Sequence, residues 1–307
     1  MSNGQYKMSV LHRIRVWVRN PKNYVILGAV SASLVGIAKA CPLLFPSHLY
    51  RPIMEAYKGG KRIQPSMSQI QEFEDVCMEL GIKTDSFSTF ITSQWDLKVK
   101  GLPFLPSGVQ YGIPLLFVDE PVLSNTQFAE NVRVNLASEE GSRFKQSLQL
   151  SVKARKFALA KGVVHAHQCF AAYPVLFAPV AVVAGFASTF TVQVIAGMFP
   201  LSVTAFFVGS AFFCTYRYLT GVLNKHHDLK SDQIVAKLGQ SYVEGGIEFY
   251  EKNLQRNKAL RILLGTKGEK LYSYYGNVTP GVIWSRGAAL TVKRENLVQI
   301  LKSLNVK

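Results

Sequence analysis

Charged residues are missing from one long part of this chain of 307 residues. The 48 positions from Cys169 to Tyr216 contain no Asp, Glu, Lys or Arg. A helix needs about 20 apolar residues to cross a hydrocarbon core of roughly 30 Å, so this run has room for two crossings and a short turn. Because the backbone polar groups of a crossing must be paired inside the lipid, the crossings are expected to be helical. The run predicts a transmembrane hairpin with arms at 169–191 and 197–216.

Cysteine is scarce, and the short motifs of common enzyme classes are missing. The four cysteines are scattered and form no C-x-x-C pair, which excludes a disulfide framework and a zinc module. The sequence contains no G-x-S-x-G, H-E-x-x-H, Walker A or G-x-G-x-x-G pattern. We therefore expect a protein that is not an enzyme, and we assign no catalytic, cofactor-binding or metal-binding residue.

Acidic residues are also few, since 19 Asp and Glu stand against 35 Lys and Arg and give a formal net charge of +16. Such an excess indicates anionic surroundings, which could be a membrane leaflet, nucleic acid or an import route that favours basic sequences. The charge alone does not choose among these three.

The first 22 residues form a basic amphipathic N-terminus. No acidic residue occurs between Met1 and Pro21, and the basic residues there alternate with apolar ones. This pattern is typical of mitochondrial targeting segments. The alternative is the positively charged flank of a membrane anchor.

Residues 23–45 are a possible first membrane segment. The apolar run from Tyr24 to Ala38 is short for a crossing, but Lys39 can extend to the interface and lengthen it. Both flanks of the hairpin are basic, so the positive-inside rule places them on the same side. A crossing at 23–45 would put the basic N-terminus on the opposite side, and the sequence leaves the number of crossings open.

Residues 46–150 are predicted to form a soluble α+β region. Ser68 with Gln71 has the spacing of a capping box at the start of an amphipathic helix, which Gly81 ends. Short β-branched and aromatic runs predict a small sheet. These runs are FSTFITSQW, YGIPLLFV, VRVNL and SLQLSV.

Residues 151–223 are predicted to contain a helix and the transmembrane hairpin into which it leads. Residues 224–307 are predicted to form a helical C-terminal region. In the latter, Ser231 or Asp232 can cap a long helix that Gly265 ends. The predicted fold class is an α-helical membrane protein, with a transmembrane helical hairpin, a small α+β region before it and a helical region after it.

Histidines lie on both flanks of the predicted hairpin. His165 and His167 precede it, and His226, His227 and Asp228 follow it, so the two groups could meet at one membrane face. Imidazoles with a carboxylate can bind zinc or copper. The alternative is that these histidines are solvated or cap helix ends. A site here at the membrane interface would also suit a membrane-bound enzyme, which is one alternative function. A second alternative is a basic tether for mitochondrial ribosomes or nucleic acid.

The block GGIEFYEKNLQRNKALRILLGTKGEKLYSYYGNV, at 245–278, resembles the C-terminal block of the transmembrane protein 177 family of mitochondrial inner-membrane proteins. Two further stretches, at 147–164 and 105–114, are similar to the same family. The resemblance implies a multi-pass protein of the mitochondrial inner membrane that takes part in cytochrome c oxidase assembly. It implies newly made oxidase subunit 2 and the membrane chaperone of that subunit as partners, and it implies no catalytic residue.

This block also contains the predicted docking surface for the partners. Its two adjacent glycines each cost about 1 kcal/mol relative to alanine in a helix, which predicts a break or a close helix contact there. Besides the two proteins we expect membrane lipid as a partner. We expect no nucleic acid, because the aromatic residues of the block stand among charges of both signs. The predicted docking residues are Gly245, Gly246, Phe249, Tyr250, Leu254, Leu260 and Leu264.

Overall fold

The computed structural model describes residues 20–117, 137–196, 200–279 and 287–305, together with Arg13, Val16 and Trp17. These ranges are mostly helical and contain a small sheet region. The α-helices are α1 Pro21–Leu44, α2 Pro46–Leu49, α3 Arg51–Met54, α4 Met67–Glu79, α5 Glu139–Leu148, α6 Val152–His167, α7 Tyr173–Ala196, α8 Leu201–Ala236, α9 Gln240–Leu263, α10 Thr266–Leu271 and α11 Leu290–Asn305. The strands are β1 Tyr57–Lys58, β2 Lys61–Arg62, β3 Phe87–Thr92, β4 Lys98–Gly101 and β5 Val109–Pro114.

The chain divides into two compact units. Unit 1 is drawn from residues 1–40 and 173–219, and unit 2 from residues 41–172 and 220–307. The sequence predicts separate regions at 46–150 and 224–307, whereas unit 2 contains both of them. The physical reason is a shared hydrophobic core to which both segments contribute. Its members include Phe73, Tyr111, Phe157, Tyr250 and Leu297.

In unit 1, small residues of one helix face aromatic residues of another. Gly28 of α1 lies against Phe186 of α7, since a Cβ at Gly28 would lie 3.1 Å from Phe186 Cγ. The Tyr24 ring lies 5.2 Å from the Phe186 ring, measured between centroids. Gly185 of α7 faces Phe212 of α8 at ordinary van der Waals distance. The absence of a side chain at these glycines allows the helices to approach closely.

Two helical segments are long and apolar enough to cross a membrane, namely Pro21–Leu44 and Phe170–Ile195. The first coincides with the possible membrane segment at 23–45, and the second with the first predicted arm of the hairpin. The second predicted arm, at 197–216, begins outside the described residues. Its part from Leu201 onward corresponds to the start of α8, which is not among the helices apolar enough to cross. The reason is that only 16 uncharged residues of α8 precede Arg217.

The three longer strands of unit 2 form one sheet in the order β3-β5-β4. Strand β5 is parallel to β3 and antiparallel to β4, and all of its residues are buried. From this central strand, the Tyr111 ring packs 4.7 Å from the Phe73 ring of α4. The Tyr111 hydroxyl donates a 2.8 Å hydrogen bond to the Leu159 carbonyl of α6. Tyr111 thus joins the sheet to two helices.

Two of the four predicted strand runs are confirmed, because FSTFITSQW contains β3 and YGIPLLFV contains most of β5. The run VRVNL lies outside the described residues. The run SLQLSV is wrong as a strand, since it contains the end of α5 and the start of α6. Ser151 decides this local structure by accepting a 3.2 Å hydrogen bond from the Ala154 amide as the N-cap of α6.

The predicted capping box exists but lies two residues earlier than expected. Ser66 Oγ accepts a hydrogen bond from the Gln69 amide, and Gln69 Oε1 accepts one from the Ser66 amide. Ser68 and Gln71 are therefore inside α4, which begins at Met67. The end of α4 near Gly81 is confirmed, since Gly81 adopts a φ of +66° after the helix.

The predicted cap at Ser231 or Asp232 is wrong, because both residues are inside α8, which continues to Ala236. The chain changes direction instead at Gly239, whose φ is +135°, and α9 begins at the next residue. The predicted end at Gly265 is confirmed, since this residue has a φ of +55° and follows the last turn of α9. A positive φ favours glycine at both positions.

Candidate functional site

Four helices of unit 2 each contribute ionisable side chains to one buried cluster, which we call the ion network. It consists of Lys161 from α6, Asp228 and Asp232 from α8, Tyr250 from α9 and Lys293 from α11. The four-residue spacing of the two aspartates places them on one face of α8, so both point to the same neighbours.

Asp232 is the centre of the ion network, and its side chain is fully buried. Lys161 Nζ lies 2.7 Å from Asp232 Oδ1 and donates a second hydrogen bond of 2.5 Å to the Tyr250 hydroxyl. The Tyr250 hydroxyl in turn donates to Asp232, at 2.8 Å from Oδ1 and 2.9 Å from Oδ2. Each of the three polar groups is therefore hydrogen-bonded to the other two, and such pairing is what makes the burial of charge tolerable.

Asp228 forms the second half of the ion network. Its Oδ2 lies 2.8 Å from Lys293 Nζ and accepts a 3.1 Å hydrogen bond from the Ala288 amide. Its Oδ1 lies 3.9 Å from Lys161 Nζ, which links the two halves. Two cations and two carboxylates thus lie together, with Asp232 fully buried and the other three side chains 12–19% exposed. The ammonium groups of Lys161 and Lys293 also lie 5.2 and 6.0 Å from the centre of the Tyr250 ring.

The protonation of these groups follows from burial and from their partners. Burial lowers the pKa of Lys161 and raises the pKa of Asp232, and the attraction between the two charges opposes both shifts. Burial alone would raise the pKa of Asp228, but Lys293 and Lys161 together outweigh it, so that pKa is lowered. Burial and the charge of Asp232 raise the pKa of Tyr250 well above its usual value. The phenol therefore remains protonated at neutral pH and acts as a hydrogen-bond donor.

The ion network has a structural role. A pair of buried charges costs several kcal/mol of desolvation per ion, which only good geometry and further hydrogen bonds offset. The Lys161–Asp232–Tyr250 triangle meets this condition with the charges held in fixed positions. It therefore fixes the relative positions of α6, α8 and α9 within unit 2.

Two of the predicted histidines lie near the ion network. The rings of His165 and His227 both contact Phe170, with centroid distances of 5.4 Å and 3.8 Å, and the ring of His227 is stacked on it. Burial lowers the pKa of each imidazole. His167 and His226 are exposed. Among the described residues, no group of three or more His, Cys, Asp or Glu side chains is arranged to hold a metal ion.

The seven predicted docking residues lie in α9 and just after it, and most face the interior of unit 2. Gly245, Gly246, Tyr250, Leu254 and Leu260 are buried. Phe249 and Leu264 are partly buried and pack against hydrophobic clusters of the same unit. In the folded chain this set is an internal face of α9, because apolar spacing along a helix identifies a buried stripe without saying what covers it.

The adjacent glycines of α9 confirm the predicted close helix contact. A Cβ at Gly245 would collide with the Lys153 carbonyl of α6. A Cβ at Gly246 would lie 2.5 Å from Leu297 Cδ1 and 2.6 Å from Phe157 Cε2. Only the absence of a side chain lets α9 approach α6 and α11 this closely.

Two members of the ion network, Lys161 and Lys293, were not singled out from the sequence, and Asp232 was predicted only as a possible helix cap. A signal existed for Lys161, which stands alone among apolar residues in the stretch FALAKGVV. For Asp232 the signal was its four-residue spacing from Asp228. Nothing local distinguishes Lys293 from the exposed lysines of the chain.

Comparisons with known proteins place this chain in a family. A family model described as Transmembrane protein 177 matches residues 117–280. A protein named Transmembrane protein 177 from Danio rerio is 32% identical over 288 residues, which cover 86% of this chain and 89% of that protein. Proteins of the same name from Rattus norvegicus and Homo sapiens are 30% and 29% identical, over 95% and 96% of this chain and 96% and 97% of their own lengths. No solved structure matches. The chain therefore belongs to the transmembrane protein 177 family.

Proposed function

We propose that this protein is a non-enzymatic assembly factor of the mitochondrial inner membrane, which binds newly made cytochrome c oxidase subunit 2 and the membrane chaperone of that subunit. Membership of the transmembrane protein 177 family and the resemblance stated above support this function. The basic amphipathic N-terminus supports the mitochondrial location. The two apolar helical segments support insertion in a membrane.

The observation that carries the proposal is that the ionisable groups of the ion network bind one another. Lys161, Asp228, Asp232 and Lys293 bind each other and Tyr250 inside unit 2. A catalytic acid, base or nucleophile must instead reach a substrate. The ion network thus serves to hold a rigid body together, which suits a protein that acts by binding.

The composition of unit 2 supports a membrane topology with paired crossings. Unit 2 is built from residues before α7 and residues after the apolar part of α8, and both contribute to one core. Both parts therefore lie on the same side of the membrane, and the chain between them crosses an even number of times. A crossing by α7 then requires a return crossing by the first part of α8.

The return crossing is physically reasonable although its apolar stretch is short. The 16 residues from Leu201 to Tyr216 span about 24 Å as a helix, which is somewhat less than the hydrocarbon thickness of roughly 30 Å. Local thinning of the bilayer accommodates such a difference, and the side chain of Arg217 can extend to the interface. With α1 as a third crossing, the protein is multi-pass.

The surface of unit 1 suits contact with the membrane helices of a partner. Phe206 and Phe207 of α8 are exposed, and so is Val180 of α7. Gly209 of α8 has open space around it, since a Cβ there would meet no other atom within 4 Å. A small residue in such a position allows close approach of another helix in lipid.

Affinity purification in a mild detergent tests the proposal. We expect oxidase subunit 2 and its chaperone to be recovered with the tagged wild-type protein from mitochondria, and recovery to fall with Gly209→Leu, which fills the open position on α8. Val30→Leu adds bulk at an exposed apolar position of α1, outside the surface of α7 and α8 described above, and serves as the matched control. Absence of both partners from the wild-type sample contradicts the proposed function.

A membrane-bound enzyme is the second candidate, favoured by the position of His165, His227 and Asp228 near one another in unit 2. This candidate predicts that His227→Gln abolishes function while partner recovery and protein abundance remain normal. The assembly factor predicts that loss of function always accompanies loss of partner recovery or of protein abundance. The same purification, repeated with this variant beside a measurement of oxidase content, distinguishes the two.

A further inference from the structure

A tight turn after α10 places two tyrosines at its tip. The Gly276 amide donates a 2.9 Å hydrogen bond to the Ser273 carbonyl, and the Ser273 amide donates a 2.8 Å hydrogen bond to the Asn277 carbonyl. Tyr274 and Tyr275 are therefore the two central residues of a four-residue turn. Gly276 closes the turn with a φ of +83°.

These two tyrosines are unusually exposed for aromatic residues. Tyr274 has 78% and Tyr275 has 66% of its surface accessible, and their ring planes are nearly perpendicular at a centroid distance of 5.5 Å. Central turn positions are usually taken by Gly, Pro, Asn, Asp or Ser. Two tyrosines at this place leave apolar surface in water without helping to form the turn, which indicates a use outside the chain's own fold.

Hydrogen bonds from α9 and from the start of α11 hold the turn in place. Asn257 Nδ2 of α9 donates a 2.8 Å hydrogen bond to the Gly276 carbonyl, and Arg261 Nη1 donates a 2.7 Å hydrogen bond to the Tyr272 carbonyl. Asn277 and Thr291 exchange two further hydrogen bonds, of 3.0 and 3.1 Å, which attach the turn to the start of α11. Two aromatic side chains on a backbone fixed in this way lose little entropy when they bind.

The chain on either side of the turn is basic in sequence. Between residues 258 and 278 the chain has four Lys or Arg and a single acidic residue, Glu269. Glu269 lies 3.7 Å from Arg261, and so its charge is matched within the protein. Lys258, Lys267 and Lys270 are exposed. Positive charge around an aromatic tip favours a partner of negative charge.

We propose that Tyr274 and Tyr275, together with the exposed Lys267 and Lys270 that precede them in the chain, form a docking surface for an acidic segment of a partner protein. This inference deepens the proposed function and rests on it. The perpendicular rings form a notch for an apolar side chain of the partner, and the exposed hydroxyls can hydrogen-bond to its backbone. The lysines attract its Asp and Glu residues and set the orientation of the bound segment.

A protein segment fits this surface better than lipid or nucleic acid does. Tyrosine and arginine are typical of the central residues of protein interfaces, where rigid aromatic side chains fill pockets of the partner. A stacking platform for nucleic acid presents ring faces to successive bases, whereas these two rings stand edge to face. Binding of lipid or of nucleic acid through these tyrosines is an alternative outcome of the test.

The test uses the purified full-length protein in detergent and fluorescent peptides that cover the water-exposed segments of oxidase subunit 2 and its chaperone. We expect binding, measured by fluorescence anisotropy, to be confined to acidic peptides and to weaken at least tenfold in Tyr274→Ala/Tyr275→Ala. Lys267→Gln/Lys270→Gln is expected to weaken binding several-fold and to reduce its dependence on salt. Phe104→Ala, which removes an aromatic ring that is 70% exposed elsewhere on unit 2, is the matched control and leaves binding unchanged.

Three outcomes overturn the inference. The first is that no acidic peptide binds the wild type, and the second is that the tyrosine variant binds as tightly as the wild type. The third is that the variant loses affinity for vesicles of phosphatidylcholine and phosphatidylglycerol, or for single-stranded RNA, rather than for peptides. Because both side chains are exposed, the variant should retain the thermal midpoint of the wild type. Recovery of oxidase subunit 2 with the wild type from mitochondria would leave the proposed function standing in each case.

Discussion

Lys161 Nζ and Asp232 Oδ1 lie 2.7 Å apart although the two residues are 71 positions apart in the sequence. The apolar helix α7 and the apolar part of α8 lie between them in the chain. This ion pair therefore connects the part of unit 2 that precedes the apolar helices with the part that follows them. The position of Tyr250 beside both charges adds α9 to the same contact.

Asp232→Ala is expected to destabilise unit 2 by about 3–5 kcal/mol, because it leaves the Lys161 ammonium buried without its carboxylate. Thermal unfolding of the detergent-solubilised protein measures this change. Glu139→Ala is the matched control, since it removes one partner of the exposed pair Arg143–Glu139 and should cost at most about 1 kcal/mol.

A compensating double substitution distinguishes the destabilisation caused by an unpaired buried charge from the destabilisation caused by lost packing. Lys161→Met/Asp232→Leu removes both charges and keeps apolar volume, so it should recover most of the stability that Asp232→Ala loses. A double variant as unstable as Asp232→Ala would show that the cost does not come from the unpaired charge.

Gly246→Ala is expected to destabilise the protein by about 1–3 kcal/mol, since the new methyl group would overlap Leu297 and Phe157. At a helical position where the new methyl group meets no neighbour, the change from glycine to alanine would be stabilising by up to about 1 kcal/mol. Gly209→Ala provides that comparison, because a Cβ at Gly209 meets no other atom within 4 Å. Equal midpoints of thermal unfolding for the two variants would contradict the close contact of α9 with α6 and α11.

The stability of unit 2 is expected to fall as the pH is lowered from about 7 to about 5. Burial lowers the pKa of His165 and His227 below the ordinary value of 6.5, so the unfolded chain binds more protons than the folded chain in this range. The stability that the two uncharged imidazoles contribute is fully present above pH 6.5. It is lost as the pH falls through their lowered pKa values. Midpoints of thermal unfolding recorded at intervals of half a pH unit measure the slope.

Substitution of the two histidines tests the origin of that slope. His165→Gln/His227→Gln should flatten the pH dependence between pH 7 and 5, because glutamine does not titrate. The exposed residue His48, also in unit 2, supplies the control, and His48→Gln should leave the slope as it is in the wild type. A slope that persists in the double variant would assign it to other groups.

Tyr111→Phe is expected to cost about 1 kcal/mol, because it removes one buried hydrogen bond and preserves the packing of the ring on Phe73. Tyr57→Phe makes the same chemical change at an exposed position of unit 2 and should be neutral. Chemical unfolding followed by circular dichroism measures both variants. A neutral Tyr111→Phe would show that the hydroxyl contributes nothing to the attachment of β5 to α6.

Local signals in the sequence predicted the parts of the fold that neighbouring residues control. The end of α4 near Gly81 and the end of α9 before Gly265 were predicted correctly, since a left-handed backbone at these positions favours glycine whatever surrounds it. The glycine pair at Gly245 and Gly246 was correctly linked to a close helix contact, because its cost within a helix requires compensation.

The errors fall where distant residues decide the outcome. Ser231 and Asp232 were predicted to cap a helix because their side chains favour caps, but in the structure α8 continues through both. Burial of Asp232 against Lys161 and Tyr250 explains its place there. The predicted docking set, from Gly245 to Leu264, stays a prediction. Its apolar spacing could not show that α6, α11 and α5 of the same chain cover much of it.

The sequence by itself determined the long uncharged run, the helices that such a run must form, the excess of positive charge and the positions at which helices end. Each of these follows from the chemistry of adjacent residues and from their spacing. Only the tertiary structure decided that Lys161 meets Asp232 and that the predicted docking residues face inward. It also decided that Tyr274 and Tyr275 remain exposed. Contacts between distant residues depend on how all the apolar surfaces of unit 2 are buried together, and no local pattern contains that information.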